Sequence, residues 1–252
     1  MSSCNSSAIK KINSSIENAA VNYSQNTALR TAISLVPGIG TIIDLILSSG
    51  GQNIQTRRIY DTIANLKNEM VKIDEMKVDK KFLDTEEFYD YMMRTFDRCT
   101  RTRHNEKRIL YCKILAHSVS IDNVAERSST EDFIGFIDEL SLIDLKVGMK
   151  IYEQQKNAPE KFDIDSAENT ELKFVIRSGW HDIKNLCQLD EIDFDISLRK
   201  LARTGLIKEI VGPYVGYTGG LYLITRTFRK LTNFIQLGTD TPLFYYYISG
   251  NK

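Results

Sequence analysis

Apolar positions along this chain recur mostly at helical spacing. From Gln52 to Met76, Ile59, Ile63, Leu66, Met70 and Ile73 follow one another at alternating steps of four and three. That heptad seam predicts one long helix built to pack on other helices. Upstream, Ile9, Ile12, Ile16, Ala19 and Tyr23 give a short amphipathic helix in a Ser- and Asn-rich start, and Asn26 or Thr27 is placed to cap the next one. Residues 28–49, ALRTAISLVPGIGTIIDLILSS, are the most apolar stretch. Pro37-Gly38 and Gly40 interrupt it, which predicts two helical arms of about ten residues joined by a tight turn.

Beyond the long helix, Asp84 or Thr85 starts a helix with Phe88, Met92, Thr95 or Phe96, and Cys99 on one side. A further helix from about Arg103 to Val119 buries Ile109, Cys112 and Leu115 or Ala116. The polar stretch Ser118 to Thr130 reads as a loop. Ser129 with Asp132 then makes a capping-box-like start for a helix through Leu140. Ser141 with Asp144 repeats the device for a helix carrying Leu142, Leu145, Gly148, Met149 and Tyr152 to about Lys156. A domain boundary near Leu140 follows: an all-α helical domain over 1–140, with hairpin 28–49 and long helix 52–76, and a second domain over 141–252.

In that second domain, Asn157 to Thr170 is a polar loop, and Leu172 to Ile176 is a short strand or helix. Ser178 can cap a helix holding Trp180, Ile183, Leu186 and Cys187, and Phe194 to Thr204 forms the next helix. Leu198 and Leu201 keep helical spacing, and Gly205 stands where a left-handed C-cap falls. Leu206 to Val211 and Leu221 to Ile224 are β-rich runs around a glycine-rich turn, Thr225 caps a closing helix, and the tail Pro242 to Ile248 has strong β-propensity. Helix, glycine stop, two-stranded wing and helix resembles the C-terminal half of a winged helix-turn-helix domain. In DNA-binding members of that class the helix before the wing lies in the major groove. The resemblance implies Arg199, Lys200, Arg203 and Lys208 as the candidate contacts. Asp190, Glu191, Asp193 and Asp195 crowd the same helix start, and basic and acidic residues nearly balance over 141–252, so the charge pattern favours protein contact or a purely structural role over DNA.

Composition sharpens this picture only a little. Apolar residues make up 42% and charged residues 26%, ordinary globular values, so neither a disordered chain nor a polytopic membrane protein is expected. Lys+Arg and Asp+Glu both count 33, leaving no global field toward nucleic acid or membranes. Cys4, Cys99, Cys112 and Cys187 form no CxxC pair and read as reduced thiols. No basic n-region with an apolar core opens the chain, so a cytoplasmic location is expected.

Two other stretches are candidates for function. Arg94, Arg98, Arg101, Arg103, Lys107 and Arg108 form a basic run. On a continuous helix, Arg94, Arg98, Arg101 and Arg108 share one face that could take the phosphates of nucleic acid, a nucleotide or an anionic lipid headgroup. A solvated face paired with acidic helices is the plainer account. Leu35, Val36, Pro37, Gly38, Ile39, Ile42 and Ile43 line the apolar hairpin. A buried helical hairpin is again the plainer account. Its rivals are triggered insertion into a membrane and docking of another copy. Each arm alone reaches only about 15 Å, half a bilayer core.

Catalytic patterns do not emerge. His104, His117 and His181 lack a second histidine at ligand spacing, PGIG lacks the Lys-Ser/Thr of a phosphate loop, and no GxGxxG is present. No cofactor and no metal are expected. The order of apolar Pro-Gly hairpin, long helix, Glu106-Lys107-Arg108 helix, Ser141-started helix and Gly205-Leu206-Ile207 wing looks like small bacterial abortive-infection proteins of phage defence, the Abi-alpha group. That resemblance implies an intracellular bacterial protein acting by binding or by disturbing membranes, and it brings no catalytic residues. The expectation is a mainly α, non-enzymatic interaction protein of two domains, the second of winged-helix type. A protein partner or self-association comes first, an anionic partner next. A membrane-active effector at the inner face of the membrane and a DNA-binding regulator are the alternatives.

Overall fold

A computed structural model describes residues 53–157, 176–177, 181–210 and 220–236. The apolar hairpin 28–49, the amphipathic start and the tail 242–248 lie outside the described residues, as does Ser178. Among the described residues are nine α-helices and a small antiparallel sheet near the C-terminus. The chain divides into two compact units, Met1–Glu131 and Asp132–Lys252. The helix expected to close the first domain therefore falls almost wholly in the second.

In the first unit, helix α1 (Asn53–Met70) packs along α4 (Asn105–Ser118) and α3 (Glu86–Arg101). The seam on α1 buries Ile59 and Leu66. It is shorter than the expected 52–76. After Met70 the backbone tightens, with Lys72 N donating to Glu69 O and Ile73 N to Met70 O, and Ile73 falls in a turn. The Asp74 carboxylate then accepts from Met76 N, a local bond that competes with helix continuation. Thr85 caps α3, its Oγ1 accepting from Phe88 N at 3.2 Å. Short α2 (Lys80–Leu83) sets Phe82 against the Phe88 ring. Helix α4 is buried nearly all round, including Lys107, Arg108, Lys113 and His117. A helix enclosed on all sides carries no amphipathic stripe to read, and Ile109, expected inside, is only half-buried.

The second unit opens with α5 (Thr130–Glu139) and α6 (Leu142–Gln155). The expected capping box at α6 is present in both directions between Ser141 and Asp144. Then come β1 (Ile176–Arg177), α7 (His181–Cys187), α8 (Glu191–Arg203), β2 (Ile207–Glu209), β3 (Leu221–Ile224) and α9 (Arg226–Gln236). The strands are antiparallel in the order β1-β3-β2, with Ile207 opposite Ile224 and Ile176 opposite Tyr222. Helix α8 ends in a Schellman motif: Leu206 N donates to Leu201 O, Gly205 N to Ala202 O, and Gly205 takes φ +74°. Thr225 caps α9 through Phe228 N, as expected.

The core of this unit joins α5, α6, α8 and α9 through Phe133, Phe194, Leu198, Leu201, Phe228 and Phe234, with the Phe133 and Phe234 rings edge to face at 5.3 Å. Gly148 lets α6 approach closely, since a Cβ there would lie 3.1 Å from Leu201 Cδ2 and 3.2 Å from Phe228 Cζ. Leu186 corrects the expected packing of α7: Ile183 and Cys187 are buried, but Leu186 is 61% exposed. It stands three and one residues from them, about 60° to 100° round so short a helix.

Candidate functional site

Helix α8 carries the most informative surface of the second unit. Its acidic first turn is capped by Asp190, whose Oδ1 accepts from Asp193 N at 2.8 Å. One stripe, Phe194, Ser197, Leu198 and Leu201, is buried. At 100° per residue the opposite stripe is Ile192, Ile196, Arg199 and Arg203. Ile192 is 72% exposed and Ile196 44%. The outward face of this helix is thus apolar in its first half and basic in its second.

Each of the three expected basic contacts on α8 is already engaged by an acid of the same unit. Arg199 Nε donates to Asp195 Oδ2 at 2.7 Å, one turn back. Arg203 pairs with Glu139 of α5. Lys200 Nζ donates to Asp144 Oδ2 at 3.2 Å. Lys208 is exposed on β2, while the neighbouring Glu209 accepts from Gly220 N and so fastens β2 to the start of β3.

Asp144 is the polar hub behind that face. It is 1% exposed and accepts from Ser141 N, Ser141 Oγ, Ser197 Oγ and Lys200 Nζ. Burial alone would push this carboxyl up. The hydrogen bonds from Ser141, Ser197 and Lys200 outweigh it and hold the carboxyl below its usual value. The capping box marked Asp144 in the sequence, and Ser197 among Phe194, Leu198 and Leu201 was the sign that a buried acceptor faced α8. Gln155, buried at the end of α6, plays a similar part: its amide donates to Tyr222 O and accepts from Ile224 N, filling a place beside β3 that a strand would take.

The basic run of the first unit is not one face. Helix α3 stops at Arg101, Thr102 to His104 are non-helical, and α4 begins at Asn105. The expected row Arg94, Arg98, Arg101, Arg108 is therefore broken. Arg94 pairs with Glu131 at 2.6 Å, and Arg101 with Asp97 one turn back at 2.7 Å. Arg98 is half-buried, and exposed Arg103 donates from Nε to His104. Lys107 and Arg108 are turned inward.

Arg108 donates to Thr102 O, Arg103 O and Asn105 Oδ1, and lies 3.6 Å from Asp61 of α1, while Arg58 reaches Thr100 O at 2.7 Å. The carbonyls freed where α3 ends need donors, and these guanidinium groups supply them. The corner is a structural clasp. The hairpin candidates Leu35, Val36, Pro37, Gly38, Ile39, Ile42 and Ile43 lie outside the described residues.

Among the described residues no group of His, Cys, Asp or Glu is arranged to hold a metal ion, and no helix is long and apolar enough to cross a membrane. No family model matches the chain, and neither a curated protein nor a solved structure is similar to it.

Proposed function

We propose that the second unit is a winged-helix module that binds protein, and that the chain is a non-enzymatic interaction protein. The element order α6-β1-α7-α8-β2-β3-α9 and the sheet order β1-β3-β2 support the winged-helix reading, with α8 as the helix before the wing. One observation carries the choice of protein over DNA. The outward face of α8 leads with two exposed isoleucines, and its basic residues are answered by Asp195, Asp144 and Glu139. Affinity for duplex DNA comes largely from phosphates neutralised by cations, and an acid beside each of these cations repels phosphate and cancels the local positive field. Exposed apolar side chains on a helix face instead gain by being covered by another protein.

The test is fluorescence anisotropy of a random-sequence duplex titrated with the full chain at low and high salt. This reading expects weak binding that Arg199→Ala and Arg203→Ala leave unchanged. Tight binding that falls steeply with salt and is lost in those variants would overturn it. The positive arm is a protein partner co-purified with the full chain and lost when Ile192 and Ile196 are both changed to Asp.

A further inference from the structure

We propose that the outward stripe of α8 is a two-fold contact between two copies of this chain; the proposal rests on the protein-binding reading above and names the partner. Charge is distributed in two opposite halves around the exposed isoleucines. Acidic residues Glu191, Asp193 and Asp195 stand in the first half of α8, and Arg199, Lys200 and Arg203 in the second. Around the Ile192–Ile196 stripe, Glu191, Asp195 and Arg199 lie on one flank, and Asp193 and Lys200 on the other.

Two antiparallel copies related by a two-fold axis set each flank against the same flank of the other copy, reversed. An axis near Ser197, the middle of Glu191–Arg203, then sets Asp195 opposite Arg199 of the second copy, and brings Glu191 level with the second copy's Arg203, whose long side chain on the central stripe reaches toward that flank. Asp193 falls beside the second copy's Lys200. The two Ile196 side chains meet close to the axis, and the opposed helix dipoles add to the attraction. A parallel arrangement would instead set acid against acid. The same residues that weaken a claim on DNA are therefore complementary to themselves.

The internal pairs Arg199–Asp195 and Arg203–Glu139 do not forbid this. Both are surface pairs, with Arg199, Arg203 and Glu139 exposed and Asp195 half-buried, and such pairs are held weakly enough to be shared or exchanged. Size sets the strength. Helix α8 has 13 residues and is about 20 Å long, so one helix pair buries less than the roughly 1,200 Å² at which stable interfaces begin. The contact is a weak, concentration-dependent dimer.

The experiment is sedimentation equilibrium of the full chain over about 5 to 500 µM, the range in which so small a contact fills. The weight-average mass of the unsubstituted chain is expected to rise from 28.8 kDa toward twice that, while Ile196→Asp stays at 28.8 kDa throughout. Glu191→Lys and Arg203→Glu are each expected to weaken the dimer by about fivefold, since two-fold symmetry counts each exposed pair twice. The double charge swap is expected to restore it. Within one copy these two residues are about 18 Å apart along the helix, so rescue reports only a contact between copies. Circular dichroism melts show that each variant keeps its fold.

A chain that stays at 28.8 kDa at every concentration overturns the proposal, as does a dimer indifferent to Ile196→Asp or a swap that fails to rescue. If those failures come with no salt-sensitive DNA binding, self-association falls and the protein-binding reading stands with a foreign partner. Salt-sensitive DNA binding through Arg199 and Arg203 brings down both.

Discussion

Each unit buries a carboxylate, and the two are treated in opposite ways. Asp144 in the second unit is 1% exposed and Glu69 in the first is 4% exposed. Asp144 takes four hydrogen bonds from three residues, the α6 cap Ser141 and Ser197 and Lys200 of α8. Glu69 receives Lys72 on one oxygen at 2.7 Å and leaves Oε2 buried with no hydrogen-bond partner. The cost of removing a charge from water is similar at both places, but only at Asp144 is it offset by directed donors. Asp144 is a joint between α6 and α8. The Glu69 carboxylate lies beside a second buried charge, Lys113, in an incompletely paired cluster on α1 and α4.

The largest effect expected from this contrast is that of Asp144→Ala. It removes the carboxylate half of the α6 capping box, leaving Ser141 N without its acceptor, strands Ser197 Oγ in the core and frees Lys200, at a cost of about 3 kcal/mol by urea unfolding. Glu69→Gln is expected to cost no more than about 1 kcal/mol, because one of its oxygens already goes unpaired. Equal losses in the two variants would erase the distinction between a saturated and an unsaturated buried acid.

Acid sharpens the same point. The folded carboxyl of Asp144 lies below its unfolded value, so its contribution is complete above the unfolded value, near 3.9, and disappears as pH falls through the folded one. Urea midpoints of the unsubstituted chain should therefore drop below about pH 4 more steeply than those of Asp144→Asn. Parallel curves would mean that Asp144 titrates alike in both states.

Gln155→Leu comes next, at about 2 kcal/mol. It keeps much of the side-chain volume but strands Tyr222 O and Ile224 N, which the amide now satisfies. The loss should appear as a lower melting temperature of the second unit. A neutral substitution would show that both groups find other partners.

What could be read from the sequence divides along the same physical line. Thr85, Ser141, Gly205 and Thr225 were legible because a cap or a C-terminal stop is decided within a few residues. The strand Leu221–Ile224 was legible from its β-rich run between glycines and a capping threonine. Arg108, Lys113 and Lys200 were not. Their partners lie across the fold or on the far side of a helix break, and a charged residue on a helix reads as solvated until the neighbouring helix is known. The break at Thr102–His104 has no glycine or proline, and it was legible only as the gap between a helix carrying Cys99 and a further one from about Arg103. The exposed pair Ile192 and Ile196 could have been found, since it stands opposite Phe194, Leu198 and Leu201 on the same wheel.

The smallest expected effect belongs to Lys113, and its sign is opposite to that of Asp144. Burial pushes the ammonium down, the Glu69 carboxylate pulls it partly back and Lys72 pushes it down further, to about 8 in all. The charged form is the one the fold disfavours. Between about pH 8 and the ordinary lysine value near 10.4 the unfolded chain holds more protons than the folded one, so stability rises with pH across that window. The informative quantity is the difference from Lys113→Met, which keeps the length of the side chain, removes the proton and cancels every other pH effect in the chain. The unsubstituted chain should gain about 1 kcal/mol over Lys113→Met between pH 8 and 10 in urea unfolding, less than the full shift implies because Glu69 shares the charge. A difference that stays flat with pH would mean that the Glu69 carboxylate offsets the whole cost of burying the Lys113 charge. A difference that falls would mean that Glu69 holds the ammonium tightly, and the contrast with Asp144 would then vanish.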